Sequence, residues 1–119
     1  MLEVTDSVKA DVKSIKPFLL QLYRAETRHT KTKVLNQATN FELSTLIKIL
    51  HFIANKEIKF AKSRIEELKK TRRLPYILQH FKTDESVKLL LSSTRSHQLD
   101  ILKKIGLFIH ILHSMFSEF

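Results

Sequence analysis

Apolar residues recur every three or four positions along most of this chain, which is the spacing of one face of an α-helix. The strongest repeat begins after Asn40, a residue type that often caps the start of a helix. Its members are Leu43, Leu46, Ile47, Leu50 and Ile53. Phe41, Ile49 and Phe52 add apolar surface on other faces of the same segment. Because a helix that is apolar on most sides is usually surrounded by others, we expect this one at the centre of its domain.

Weaker repeats predict further helices on both sides of the central one. Pro17 suits a first helical turn, where its missing N–H group is not needed, and residues 26–33 either continue that helix or bend into a second one. Asp84 is the expected N-cap of a later helix. The last helix is expected to run from about His97 towards Phe116, with apolar residues along one stripe.

Glycine and proline are scarce, with one Gly and two Pro in 119 residues. Turns between strands depend heavily on these residue types, so the composition favours helices with short connections. Residues 1–15 have weak helical spacing and are expected to form a marginal helix or a loose N-terminal arm. Residues 16–119 are expected to form the bundle domain. The predicted fold is therefore all-α, a compact single-domain bundle of five or six helices.

The net charge of +9 is concentrated in two short segments. Residues 16–33 contain five basic residues and one acidic residue, and residues 62–73 contain six basic and two acidic residues, so each segment contributes +4. Positive charge that is concentrated in this way suggests an anionic partner such as nucleic acid. A solvated helix face, or a nuclear import signal, explains the same residues without a nucleic acid.

The second of these segments is predicted to make the main contacts with phosphates, and the first segment to add a second patch. The predicted primary residues are Lys62, Arg64, Lys69, Lys70, Arg72 and Arg73. The predicted second patch is Arg24, Arg28, Lys31 and Lys33. The sequence contains no convincing helix-turn-helix spacing, no zinc finger and no aromatic platform, so we expect contacts with backbone and shape rather than with base edges.

The C-terminal helix carries a second apolar surface beside its main stripe. Its residues are Leu107, Phe108, Ile111, Met115 and Phe119. This surface either packs inside the bundle or docks a protein partner or a second copy of the chain. The alternative function is therefore a protein–protein interaction module, in which the basic residues provide solubility or steering.

No residue pattern indicates catalysis, and we predict a non-enzymatic protein without a metal or a cofactor. The chain has no cysteine, which excludes disulfides and thiol chemistry, and no glycine-rich phosphate loop is present. His110 and His113 have a spacing that two ligands of one metal could use, but no third ligand is adjacent in sequence. Structural roles are expected for the other histidines, His29, His51, His80 and His97.

No segment is predicted to be integral to a membrane. The longest apolar-rich run, residues 105–116, is shorter than the roughly 20 residues that span a bilayer. The first residues lack the apolar core of a signal peptide. We therefore expect an intracellular protein, in the nucleus or in a virion, that is not secreted.

The order of leucines and basic residues between about 18 and 113 resembles a class of small basic helical proteins. The matching positions are Leu19, Arg24, residues 33–38 (KVLNQA), Glu42, Leu43, Leu46, Ile53, Ile58, Leu74, Leu78 and residues 88–91 (KLLL). Proteins of this kind are encoded by Maverick/Polinton-type elements and by related adintovirus-like DNA viruses. The resemblance implies a viral or mobile-element core or accessory protein and supplies no enzymatic residues.

Overall fold

A computed structural model describes residues 6–56 and 79–105, and these ranges are almost entirely helical. In chain order the helices are α1 (Asp6–Ser14), α2 (Lys16–Arg24), α3 (Arg28–Gln37), α4 (Asn40–Lys56), α5 (Asp84–Leu91) and α6 (Arg95–Ile105). Residues 79–82 are also helical, and neither described range contains a strand. The predicted all-α single-domain fold is confirmed, with seven helical segments in these ranges instead of five or six.

Helix α4 lies at the centre of the described bundle, as its sequence predicts. It packs against α1, α5 and α6, while α2 packs against α1 and α3, and α6 also contacts α3 and α5. The buried side chains of α4 include Leu43, Leu46, Ile47, Ile49 and Leu50. These residues cover more than one face of α4, which explains why neighbours surround it.

The N-terminal residues of the described chain belong to this bundle. Of the two states expected for residues 1–15, the structure shows a helix over Asp6–Ser14. Val8 and Val12 of α1 are buried in the same core as α4. Apolar side chains one turn apart give α1 a single inward face, and its packing on α4 stabilises a helix that would be marginal alone.

The N-cap predicted for α4 is wrong by one residue. Thr39 caps this helix, since its Oγ1 accepts a hydrogen bond from the Glu42 backbone N–H at 3.1 Å. The Glu42 carboxylate in turn accepts from the Thr39 N–H at 2.8 Å, which completes a capping box. Asn40 is already helical and its side chain is used elsewhere. The pairing of Thr39 with an acidic residue three positions later therefore outweighs the cap preference of Asn40.

The N-cap predicted for α5 is wrong in the same way. Thr83 is the cap, and its Oγ1 accepts from the Ser86 N–H at 3.0 Å. Asp84 is the first helical residue, where its negative charge still favours the helix N-terminus. Its carboxylate contacts His51 of α4 and is therefore not the cap.

The polar stretch over residues 26–33 starts a second helix rather than continuing α2. Ala25 and Thr27 both have extended backbone conformations, which end α2 and change the chain direction. Thr27 and Thr30 then form a reciprocal capping box, in which each side-chain oxygen accepts from the other residue's N–H at 3.1 Å. Three residues thus connect α2 to α3.

Within residues 6–56 and 79–105, no helix is both long enough and apolar enough to cross a lipid bilayer.

Candidate nucleic-acid interface

Of the two predicted basic patches, only the one in residues 16–33 lies within the described residues. The six residues predicted as primary phosphate contacts fall outside the described residues: Lys62, Arg64, Lys69, Lys70, Arg72 and Arg73. The five residues predicted to dock a partner also fall outside them: Leu107, Phe108, Ile111, Met115 and Phe119. The described part of the predicted interface is therefore Arg24, Arg28, Lys31 and Lys33.

Three of these four residues are exposed around the connection between α2 and α3. Arg24 is the last residue of α2, Arg28 is the first residue of α3, and Lys33 lies in the middle of α3. His29 is also exposed, and it lies four positions before Lys33, so both are on the same side of α3. We call Arg24, Arg28, His29 and Lys33 the α2–α3 basic surface.

The charge of the α2–α3 basic surface is nearly unopposed within its own helices. Glu26 is the single acidic residue between positions 16 and 37, and α3 itself contains none. The outward side of α3 continues past Lys33 with the exposed side chains of Asn36 and Gln37. This side of α3 therefore offers cationic and amide donors, the groups that bind phosphate oxygens in nucleic-acid interfaces.

Lys31 does not belong to this surface, which corrects its predicted place in the patch. Its side chain is only 1% exposed, and it faces the core together with Leu35. The Lys31 ammonium donates a hydrogen bond to the Leu22 carbonyl at 2.8 Å and another to the Ala25 carbonyl. Both of its protein partners lie at the end of α2. A phosphate in solvent has no access to this ammonium group.

The position of Lys31 has a local physical explanation. The last carbonyls of a helix lack intrahelical partners, and the C-terminal end of the helix carries partial negative charge. The ammonium of Lys31 satisfies two such carbonyls and complements that charge. Burial lowers the pKa of Lys31, and the nearby Glu26 carboxylate acts in the opposite direction. Without Lys31, the exposed side chains of residues 16–33 carry a net charge of +3, from Lys16, Arg24, Arg28 and Lys33 against Glu26.

The side chain of Arg95 also holds the end of α3 in place, and the sequence analysis did not predict this contact. Arg95 at the start of α6 donates to the Asn40 side-chain oxygen at 2.8 Å. Its other terminal nitrogen donates to the Asn36 carbonyl at 3.1 Å and the Ala38 carbonyl at 2.5 Å. Arg95 thus satisfies carbonyls at the end of α3 and fixes the connection between α3 and α4. No local signal marks this contact, because 55 or more residues separate the partners.

His51 connects α4 to the chain segment that precedes α5. Its Nδ1 lies 2.5 Å from the Phe81 carbonyl oxygen, and its Nε2 lies 2.9 Å from Asp84 Oδ1. A carbonyl and a carboxylate are both acceptors, so the ring lies between two hydrogen-bond acceptors. This contact joins α4 and α5 on a part of the molecule that does not include the α2–α3 basic surface.

Nothing in the described ranges brings three acidic or histidine side chains together as a metal site. No protein-family model, curated protein or solved structure is detectably similar to this chain. The resemblance to proteins of Maverick/Polinton-type elements therefore stays a prediction.

Proposed function

We propose that this protein is a non-enzymatic nucleic-acid-binding protein that holds phosphates through exposed basic side chains. The observation that carries the proposal is the α2–α3 basic surface, where Arg24, Arg28 and Lys33 are exposed while Glu26 is the single acidic neighbour. Capping by Thr27, Lys31 and Arg95 fixes the helices that present these side chains. The predicted cluster at residues 62–73 supplies the rest of the proposed charge.

The proposed binding mode is electrostatic and independent of base sequence. Each phosphate that a basic side chain neutralises releases counterions, so affinity falls steeply as the salt concentration rises. Contacts with phosphates position a protein on the nucleic acid without reading its sequence. The proposal therefore covers DNA and RNA, and it includes a role in a viral or mobile-element core as its most specific form.

The test is fluorescence anisotropy with a labelled duplex of about 20 base pairs and a matched RNA, titrated at several salt concentrations. A triple variant, Arg24→Gln with Arg28→Gln and Lys33→Gln, removes three charges from the α2–α3 basic surface. Its control, Lys13→Gln with Lys48→Gln and Lys88→Gln, removes three exposed charges from other helices.

We expect the surface variant to weaken binding by about tenfold or more. The salt slope should decrease by about one unit for each phosphate that the variant no longer neutralises. The control variant should bind like the wild type. Equally weakened binding in both variants would show that affinity depends on net charge alone and not on the α2–α3 basic surface. The absence of any binding at low salt would remove the proposed function.

A second set of substitutions tests the residues that are predicted to make the primary phosphate contacts. Lys69→Glu, Lys70→Glu, Arg72→Glu and Arg73→Glu are expected to abolish binding while the helical circular dichroism signal is unchanged. Loss of binding in this variant, together with wild-type binding by the α2–α3 variant, would retain the function but move the interface to residues 62–73.

No observation in the described residues favours the protein-docking alternative over this proposal. The large exposed apolar side chains are Leu20, Phe41 and Leu89, and they lie on three different helices. Single exposed apolar residues are normal on protein surfaces.

A further inference from the structure

A small cavity lies between residues 79–82, α5 and α6, and none of its lining residues belongs to the α2–α3 basic surface. Its volume is about 300 Å³. The side chains that line it are Gln79, His80, Ser86, Leu89, Leu90 and His97. A volume of this size is at the lower end of the range of about 300–1,000 Å³ typical of small-ligand pockets.

Two histidines line this cavity, and a lysine lies on the same side of α6 as one of them. His97 and Lys104 are seven residues apart on α6, so they lie on the same side of that helix, about two turns apart. Both are exposed, whereas His80 is half-buried. The pKa of His80 is lowered, mainly by burial and then by the positive charges of Lys104 and His97. A charge acts on a neighbour in this way only when the two groups are close.

Acidic residues also occur on these elements, and Asp100 lies on the same side of α6 as His97 and Lys104, three residues after the first and four before the second. Asp84 of α5 contacts His51 at 2.9 Å, and Glu85 of α5 and Asp100 of α6 are exposed. Among the described acidic side chains, none raises the pKa of His80. Three further lysines, Lys82, Lys88 and Lys103, occur on the elements that surround the cavity.

The cavity also offers neutral hydrogen-bond donors. The Ser86 hydroxyl oxygen accepts from the Thr83 hydroxyl at 2.7 Å, so the hydrogen of Ser86 is left to donate in another direction. The Gln79 side chain supplies an amide group at the rim. Leu89 and Leu90 provide apolar surface beside these donors.

We propose that this cavity binds a phosphate group, held by the imidazoles of His80 and His97, the Lys104 ammonium and the Ser86 hydroxyl. A phosphate has several strong acceptor oxygens, which match donors that converge from different directions. Its negative charge relieves the repulsion among His80, His97 and Lys104. The leucines leave room for a small organic substituent on the phosphate.

Another cavity among the described residues is larger than this one but lacks these properties. It has a volume of about 360 Å³ beside α4, and Arg95 is its one charged lining residue. The Arg95 guanidinium already donates to the Asn40 side chain and to the Asn36 and Ala38 carbonyls. Its charge therefore stabilises the fold and is not directed at a ligand.

Two sources can supply the phosphate: a small phosphorylated molecule, or the backbone of a nucleic acid. The test uses NMR of the histidine Cε1–H groups in the whole chain at mildly acidic pH. Inorganic phosphate is titrated at constant ionic strength against sodium chloride, and a short duplex is titrated in a separate arm. This experiment does not rest on the proposed function, because inorganic phosphate alone tests the cavity.

We expect phosphate to shift the signals of His80 and His97 in a saturable manner. Binding should raise the pKa of His80, because the anion stabilises the protonated ring. His97→Gln and Lys104→Gln should each weaken phosphate binding by about tenfold, the effect expected for one charge-assisted hydrogen bond.

Lys88→Gln is the matched control, because Lys88 is exposed on the side of α5 away from Ser86 and Leu90. Saturable shifts with phosphate and none with the duplex would identify a small phosphorylated ligand. Shifts of the same signals with the duplex, weakened by His97→Gln, would identify the nucleic-acid backbone. Shifts no larger than those in sodium chloride, or equal weakening in the Lys88 and Lys104 variants, would overturn the proposal.

Discussion

Replacement of Lys31 by methionine tests the most unexpected feature of the α2–α3 region. The substitution keeps an unbranched side chain of similar length in the core but removes the ammonium group. The Leu22 and Ala25 carbonyls at the end of α2 then lose a charged donor. A surface lysine would make no such contribution, so stability distinguishes a buried cap from a phosphate contact.

The expected magnitude follows from two opposing effects. A hydrogen bond from a charged group contributes about 1.5–3 kcal/mol, and carbonyls left without a partner in the interior add a desolvation penalty. Removal of a buried charge is favourable in itself and offsets part of this destabilisation. We expect Lys31→Met to lower the free energy of unfolding by about 2 kcal/mol.

Urea denaturation followed by circular dichroism measures this difference. Lys33→Met is the matched control on the same helix, and it should change stability by no more than about 0.5 kcal/mol because Lys33 is exposed. Equal stability of the two variants, or a Lys31→Met variant more stable than the wild type, would refute the assignment of Lys31 as a buried cap. NMR of the lysine ammonium groups gives an independent check, since only a buried ammonium exchanges slowly with water.

Three further predictions concern Lys31, Tyr23 and Arg95. The pKa of Lys31 is lower in the folded chain than its ordinary value of 10.5, so between these two values the unfolded chain binds more protons than the folded chain. The stability of the wild type relative to Lys31→Met should therefore increase as pH rises through this window. Urea denaturation at each pH measures this difference. Burial raises the pKa of Tyr23 to about 12. The unfolded chain therefore loses this proton at lower pH than the folded chain, and the free energy of unfolding should fall as pH rises from about 10 towards 12. Tyr23→Phe should remove this decrease. Arg95→Ala should cost about 2–3 kcal/mol by thermal or urea unfolding, because three acceptors at the α3–α4 connection lose their donor; an effect below about 0.5 kcal/mol, the size typical of surface substitutions, would show that water replaces this side chain.

The helices that the sequence predicts best are those with strong apolar repeats. The stripe of α4 determines both its helical state and its central place, since buried side chains on several faces require neighbours on several sides. The cap errors at Asn40 and Asp84 have a common cause: a preceding threonine with a partner three residues later makes the better cap. The pairing of Thr39 with Glu42 is visible in the sequence and should decide such cases.

The site is harder to predict from the sequence, because charge alone does not reveal orientation. Composition groups Lys31 with Lys33. The position of Lys31 four residues before Leu35 puts it on the apolar side of α3, and that spacing is the signal that could have found it. The contacts of Arg95 with the α3–α4 connection depend on the tertiary fold, so no local pattern predicts them. The same is true of the cavity that His80 and His97 line together.

The three hydrogen bonds of Arg95 also have a consequence for the order of folding. Helices α1 to α4 are joined by short connections, so most of their mutual contacts form between residues that are close in sequence. The two carbonyls at the end of α3 receive their hydrogen bonds from an arginine that is 57 and 59 residues further along the chain. Closing a loop of that length carries an entropic penalty that only later contacts repay.

The α3–α4 connection should therefore reach its native state late, after α6 has docked. Substitution of Arg95 should then accelerate unfolding while leaving the folding rate nearly unchanged, the behaviour of a contact that is absent from the transition state. Arg95 therefore determines how long the native bundle persists and has little effect on how quickly the bundle assembles.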